Sequence, residues 1–342
     1  MTPQLRRMLG FFAAVAVAFS ATSVQAQKTE LLVYTALETD QLKAYAESFN
    51  KTNPNIELKF VRDSTGVITA KLLAEKANPQ ADVVFGVAAS SMEIFKAEGM
   101  LAPYSPPGFD KLTPSFSDAA RPPSWVGMDV WAATVCYNSV EGAKKGIPKP
   151  ETWKDLTKPI YKGQITMPNP ASSGTGYFDV TAWLQLFGEA EGWKYMDALH
   201  ENIAQYTHSG SKPCRQAGAG EFVVGISFEY RANDVKKKGA PVDIIFPKEG
   251  LGWDIEASGI MKTTKKMDAA KKLMDWVVTK EANEAYAKNF AIVAMPGVAT
   301  KLEHIPADLD KYLVKNDFAF AAKNRDKILT EWQKRYAAKS EK

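Results

Sequence analysis

Histidine and cysteine are scarce in this chain, with three histidines and two cysteines among 342 residues. His200, His208 and His304 stand in no H-E-x-x-H frame, and Cys136 and Cys214 form no C-x-x-C pair, so the common zinc and thiol-redox signatures are missing. There is no G-x-S-x-G nucleophile elbow and no G-x-x-x-x-G-K-[ST] phosphate loop. His208 precedes Ser209-Gly210-Ser211, but one histidine near a serine is more often incidental than catalytic. An excess of one charge is lacking too: 43 basic against 39 acidic residues is too balanced for a nucleic-acid partner. The basic runs Lys236-Lys237-Lys238 and Lys265-Lys266 read as solvated faces. Beyond residue 26 no apolar run approaches the roughly 20 residues that span a bilayer.

What is present begins with an export signal. Arg6 and Arg7 form a positive n-region, Phe11 to Phe19 a short apolar core, and Val24-Gln25-Ala26 a small-residue cleavage site before Gln27. An uncleaved anchor or a twin-arginine signal fits less well, since no long apolar run follows and the residues around the arginines are atypical. Residues 1–26 therefore lie outside the fold. Their loss removes two arginines and no acids, leaving 41 basic and 39 acidic residues, a net +2. In an oxidising compartment Cys136 and Cys214 either bond, closing a loop of 78 residues, or stay as two buried thiols; spacing alone leaves both open.

Short apolar runs then alternate with amphipathic stretches. Leu31–Tyr34, Ile56–Val61 and Asp82–Phe85 read as strands; 38–50, 67–77 and 90–98 read as helices, with Leu42, Tyr45, Ala46 and Phe49 at helical spacing. This βαβαβα order predicts a parallel sheet covered by helices. Val130–Tyr137, Phe222–Phe228 and Val242–Phe246 read as further buried strands, and 176–188, 189–203, 269–278 and 282–290 as helices. The prolines at 148, 150, 159, 168 and 170 mark entry into a second lobe.

Candidate binding residues gather at strand-to-helix turns, where open α/β sheets take ligands. Asn169 to Tyr177 follows the short strand Gln164–Met167 and opens a helix. Ser172, Ser173, Gly174 and Thr175 there offer hydroxyls and backbone N–H groups at the positive end of a helix dipole, which suits a phosphate, phosphonate or carboxylate. An ordinary capped helix start would look the same. Thr35 with Glu38, Ser64 with Thr65, and Ser90 occupy three similar turns. Ser209 lies near them in sequence pattern. Glu229 and Tyr230 end a buried strand; Glu229 could pair with a ligand cation and Tyr230 could donate a hydroxyl, and Trp253-Asp254 could offer an aromatic face and a carboxylate to an ammonium group.

Leu32–Ala36, Ala81–Gly86, Met167–Thr175 and Gly225–Phe228 together resemble periplasmic solute-binding proteins of the iron and phosphonate group. The resemblance implies an α/β, type II periplasmic binding protein: two α/β lobes joined by hinge strands with a ligand cleft between them. It implies lobes at 27–132 plus about 257–305, and about 133–256 plus 306–342. The iron branch carries a histidine after the first strand, a glutamate after the third and paired tyrosines near the second hinge. Here those places read Leu37-Glu38, Gly86-Val87-Ala88 and Phe228-Glu229-Tyr230, which departs from that set. The chain is more similar to the 2-aminoethylphosphonate branch, through Ser-Ser-Gly-Thr and Ser-Phe-Glu-Tyr. The implied protein is a monomeric periplasmic receptor delivering an aminophosphonate to an ABC permease and its ATPase. It needs no cofactor or metal and is not an enzyme; the alternatives are a ferric-iron or other small-anion binder, and a secreted hydrolase. The exported protein is expected to begin near Gln27, and its intact mass checks this: a membrane-bound product that keeps residues 1–26 would contradict it.

Overall fold

The computed structural model describes residues 28–341, so the expected leader peptide lies outside the described residues. The chain opens with β1 (Thr29–Thr35), α1 (Thr39–Thr52), β2 (Ile56–Arg62), α2 (Thr65–Ala74), β3 (Val83–Ala88), α3 (Ala89–Ala97) and β4 (Leu101–Ala102). It continues with β5 (Val126–Asn138), α4 (Ser139–Lys145), β6 (Ile165–Pro168), α5 (Gly174–Phe187), α6 (Glu189–Asn202), β7 (Ile203–Thr207) and α7 (Lys212–Gly218). It closes with β8 (Val224–Phe228), α8 (Glu229–Lys237), β9 (Val242–Ile245), β10 (Trp253–Met261), α9 (Met267–Val277), α10 (Lys280–Tyr286) and α11 (Phe318–Tyr336).

The strand order is β2-β1-β3-β10-β5-β8-β6-β7, with β4 beside β10 and β9 beside β5. Parallel pairing holds where the βαβ pattern foretells it, among β1, β2 and β3 and among β6, β7 and β8. Between these two blocks run β10 and β5, antiparallel to each other and to their outer neighbours. β5 belongs to both blocks. Its first half, Val126 to Ala132, pairs with β10, and its second half, Ala133 to Asn138, pairs with β8 and β9.

Local sequence explains most element limits. In α1 the apolar spacing buries Leu42, Tyr45 and Phe49 against the sheet, and the Oε1 of Gln41 accepts the Glu38 N–H at 2.8 Å, closing the helix start. The helix expected from Val67 begins at Thr65, because Ser64 takes the extended cap position, and it stops at Ala74, short of Asn78-Pro79. The strand expected from Val130 starts at Val126 and is buried along all 13 residues. Its early part is disguised by Gly127 and Asp129. Gly127 is required there, since a Cβ would come within 2.6 Å of Ile255 Cγ2. The strand β10 was not foreseen, because two acids, Asp254 and Glu256, interrupt its apolar pattern. Glu229, expected to end a strand, opens α8 instead.

Cys136 and Cys214 are bonded, with their Cα atoms 5.3 Å apart, which decides the question spacing left open. The bond ties β5 to α7 through a small buried cluster that includes Ala217, Ala232 and Val242. A loop of this length places the contribution at about 4 kcal/mol in the chain-entropy model. Reduction, or Cys136→Ala with Cys214→Ala, is expected to lower the melting temperature by roughly 5–15 °C; scanning calorimetry with and without reductant checks this.

Candidate functional site

The carboxyl ends of β1, β2 and β3 face those of β6, β7 and β8 across a cleft, and the turns that follow them supply its walls. From one side come Ala36, Glu38, Arg62, Ser64, Thr65 and Gly86. From the other come Ser173, Gly174, Thr175, Gly210 and Phe228. Trp131 and Glu256 close the floor from β5 and β10. With the two walls drawn together the cavity between them is small, about 40 Å³. A larger groove between α5, α6 and α11 lies outside the cleft and is rimmed by Glu189, Lys327, Glu331 and Arg335, a mixed-charge surface lip.

Two helix N-termini meet at this cavity. Ser64 caps α2 with no side-chain bond into the helix, which leaves its hydroxyl uncommitted there. Ser173 caps α5 and accepts the Gly176 N–H at 3.4 Å. The first-turn N–H groups of Gly174 and Thr175 have no intrahelical acceptor by their position. The two turns are packed closely: a Cβ on Gly174 would lie 2.8 Å from Thr65 Oγ1. Thr175 Oγ1 accepts the Trp131 indole N–H at 3.4 Å, which fixes the hydroxyl beside the ring. Both helix dipoles place partial positive charge here.

Arg62 adds a full positive charge. Its Nε donates to the Leu37 carbonyl at 3.0 Å, and its terminal nitrogen lies 3.5 Å from Glu38. Glu38 is shared among three guanidinium groups, with Arg231 at 3.0 Å and Arg215 at 3.5 Å. Both of those come from the opposite wall, so Glu38 joins the two halves. Further contacts cross the cleft: Tyr230 donates to Asp40 at 2.9 Å, His208 meets Asp63 at 2.8 Å, and the Gly66 N–H donates to the Ser172 carbonyl at 2.9 Å. These contacts describe a closed cleft. Gly66 permits it, because a Cβ there would sit 2.2 Å from the Ala171 carbonyl oxygen.

Of the residues anticipated from sequence, Glu38, Ser64, Thr65, Ser173, Gly174 and Thr175 line the cavity. The others are drawn elsewhere. Thr35 is buried behind the turn, its hydroxyl accepting the Leu37 N–H at 3.2 Å. Ser172 donates to the His208 carbonyl, and Ser209 faces Ser211. Ser90 donates to Asp254 at 2.6 Å, so these two satisfy each other inside the fold. Burial pushes the Asp254 carboxyl up to about 7. Trp253 turns its indole N–H to the Val314 carbonyl at 2.7 Å. Glu229 is fully buried, accepts the Ala132 N–H at 2.7 Å, and is pushed up to about 8 by burial. It braces the hinge strand β5 and does not line the cavity, and the Tyr230 hydroxyl points to Asp40.

Sequence reasoning missed Arg62, Trp131, Phe228, Gly210 and Glu256. Arg62 sits one residue before the turn Asp63–Thr65, where a strand-end basic residue was a readable signal. Glu256 had a signal too, as an acid inside an otherwise apolar stretch. Trp131 and Phe228 looked like core.

Comparison with known proteins agrees with this geometry. The sequence pattern of the family described as bacterial extracellular solute-binding protein matches residues 78–324. Among solved structures, the chain is similar to the periplasmic binding protein AfuA of Actinobacillus pleuropneumoniae, which has exogenous fructose-6-phosphate bound. The identity is 31%, the match covers 91% of this chain and 99% of that one, and the TM-score is 0.83. An uncharacterised protein of Haemophilus influenzae is 30% identical over 297 residues, 85% of this chain and 84% of its own. A Salmonella paratyphi A periplasmic protein provisionally named for 2-aminoethylphosphonate binding is only 23% identical over 243 residues, 69% of this chain and 68% of its own. The phosphonate branch is thus a distant relative, which corrects the closer kinship read from the Ser-Ser-Gly-Thr and Ser-Phe-Glu-Tyr stretches. Those stretches sit at the start of α5 and at the end of β8 running into α8. The architecture is the type II periplasmic binding protein fold. With the family pattern covering most of its length and a closed cleft between two α/β halves, this chain belongs to the bacterial extracellular solute-binding proteins, which capture solutes for ABC importers.

Proposed function

We propose that the protein is a periplasmic receptor for a small solute bearing a phosphoryl group, with sugar phosphates as the favoured class. The observation that carries this reading is the convergence of two helix N-termini, the Ser64, Ser173 and Thr175 hydroxyls and Arg62 on one cavity. Backbone N–H groups, hydroxyls and a guanidinium together match the oxygens of a phosphate monoester. AfuA, bound to fructose-6-phosphate, supports the sugar-phosphate class. A second reading, 2-aminoethylphosphonate, keeps the same anion site and uses Glu256 or Glu38 for the ammonium group; the Salmonella relative supports it more weakly. Glu229 is not the reader in either case, because it is fully buried beside the hinge strand and does not line the cavity. A ferric-iron site draws no support from Tyr230, whose hydroxyl is committed to Asp40.

In this reading, the lobes comprise 27–132 with about 257–305 and about 133–256 with 306–342, with the second crossing near Trp253, where β10 begins to pair with β5. The leader directs the chain to the periplasm, and the monomer hands its solute to a permease and ATPase.

Calorimetric titration with fructose-6-phosphate, 2-aminoethylphosphonate, inorganic phosphate and ferric citrate tests the reading. The sugar phosphate is expected to bind most tightly and ferric citrate not at all. A hydrogen bond to a charged group is worth about 1.5–3 kcal/mol, so Arg62→Ala and Thr175→Ala should each weaken phosphoryl ligands roughly ten- to a hundredfold. Glu229→Gln should leave the preference among ligands as in the wild type. Binding of ferric citrate alone would overturn the proposal. Closure has its own check: Gly66→Val should block the approach to Ala171, so small-angle scattering shows ligand-induced compaction for the wild type and little for the variant.

A further inference from the structure

Glu256 stands apart from the other cavity residues because one of its carboxyl oxygens is left over by the protein. It lines the cavity floor, and its Oε2 is buried with no hydrogen-bond partner. In the β5–β10 ladder it lies directly opposite Asp129, whose two carboxyl oxygens are likewise buried and unpartnered. Two carboxylates cannot both ionise at such a distance in a dry setting. Burial raises both groups, Glu256 to about 8 and Asp129 well above the usual range; Glu256 and then Glu229 push Asp129 further up, whereas on Glu256 the hydrogen bond with Asp129 pulls down and the charges of Glu229 and Glu38 push up. The charged and titratable groups around the pair are Glu229 at the start of α8, Glu38 before α1, Tyr45 on α1 and Tyr286 on α10. Arg62 faces the same cavity from β2, where its Nε donates to the Leu37 carbonyl and a terminal nitrogen lies 3.5 Å from Glu38. Around neutral pH the pair therefore holds at least one proton, and Glu256 can both accept and donate.

We propose that Glu256, backed by Asp129, is the residue that reads the body of the ligand, exchanging hydrogen bonds with hydroxyl groups of a phosphorylated polyol held by its phosphoryl group at the paired helix ends. This rests on the phosphoryl reading of the cavity and extends it. The anion site alone would take inorganic phosphate as well as an ester, so discrimination needs a group on the far wall. Glu256 is the acid on that floor left unspent. A neutral carboxyl matches uncharged hydroxyls, whereas an ammonium group would require the pair to give up a proton on binding.

The test compares fructose-6-phosphate, inorganic phosphate and 2-aminoethylphosphonate by calorimetry at pH 7 in two buffers of different ionisation enthalpy, for wild type, Glu256→Ala and Glu256→Gln. Wild type should prefer the sugar phosphate with no buffer-dependent heat. In the variants the ratio of sugar-phosphate to phosphate affinity should fall roughly 5- to 100-fold, with the loss confined to the hydroxyl-bearing ligand. Thermal melting controls for folding. Glu256→Gln removes a carboxyl whose charge the fold disfavours, so it should melt no lower than wild type at pH 8 and carries the test if Glu256→Ala does not fold. An unchanged ratio in a folded variant overturns the role of Glu256 while leaving the phosphoryl reading intact. Preference for 2-aminoethylphosphonate with proton release overturns it in favour of an ammonium ligand. Failure of all three compounds to bind wild type overturns the phosphoryl reading itself.

Discussion

One strand holds the molecule together as a two-part device. β5 is buried along its whole length, yet it pairs with β10 through its first half and with β8 and β9 through its second. Each block of sheet thus has its own parallel core, and the two share a backbone whose hydrogen bonds change partner near Ala132. At that place Glu229 accepts the Ala132 N–H, while β10 begins its antiparallel run. A strand that serves two sheets can twist where its partners change without losing its ladder bonds. The cleft lies beside this change of partners, and the parallel strands on both sides aim their carboxyl ends into it.

The cleft is polarised. Helix N-termini and Arg62 gather on the walls, and carboxyls gather on the floor and hinge. The walls are drawn together by contacts between different halves: the opposite charges of Glu38 with Arg231 and Arg215, and the hydrogen bond between Asp63 and His208. The Arg215 and His208 contacts are partly exposed, so each adds little by itself, whereas Arg231 and Glu38 meet largely out of solvent. Their role is directional, matching the two rims in one register, while Gly66 removes the side chain that would hold them apart. In the proposed receptor a ligand meets donors from both walls at once, which would couple closure to capture.

The buried acids follow a different logic. Asp254 is answered by the Ser90 hydroxyl and backbone N–H groups, and one oxygen of Glu229 by the Ala132 N–H, away from the cavity lining. Asp129 and Glu256 have only each other and the cavity. Polar groups left unsatisfied inside a fold are costly, and they persist where something else meets them. The floor of a closing cleft is such a place, because it is dry only when the cleft is shut.

Much of this was readable from the chain. The apolar periods gave the βαβ blocks, and the small hydroxyl residues after Met167 and at Ser64-Thr65 marked the two helix starts that line the cavity. Local chemistry fixes those features: a cap, a period and a turn act over a few residues. Other features required the folded chain. Whether Cys136 meets Cys214, that Asp129 and Glu256 stand opposite each other, that Ser90 takes up Asp254, and that Arg62 rather than Tyr230 reaches the ligand space all depend on strand register and on contacts between distant segments. The sequence alone determined the class of fold and the anion-binding turns, because both are written in local patterns. Tertiary structure decided which carboxyls are spent and which are free, because a side chain's partners are set by what packs against it from elsewhere in the chain.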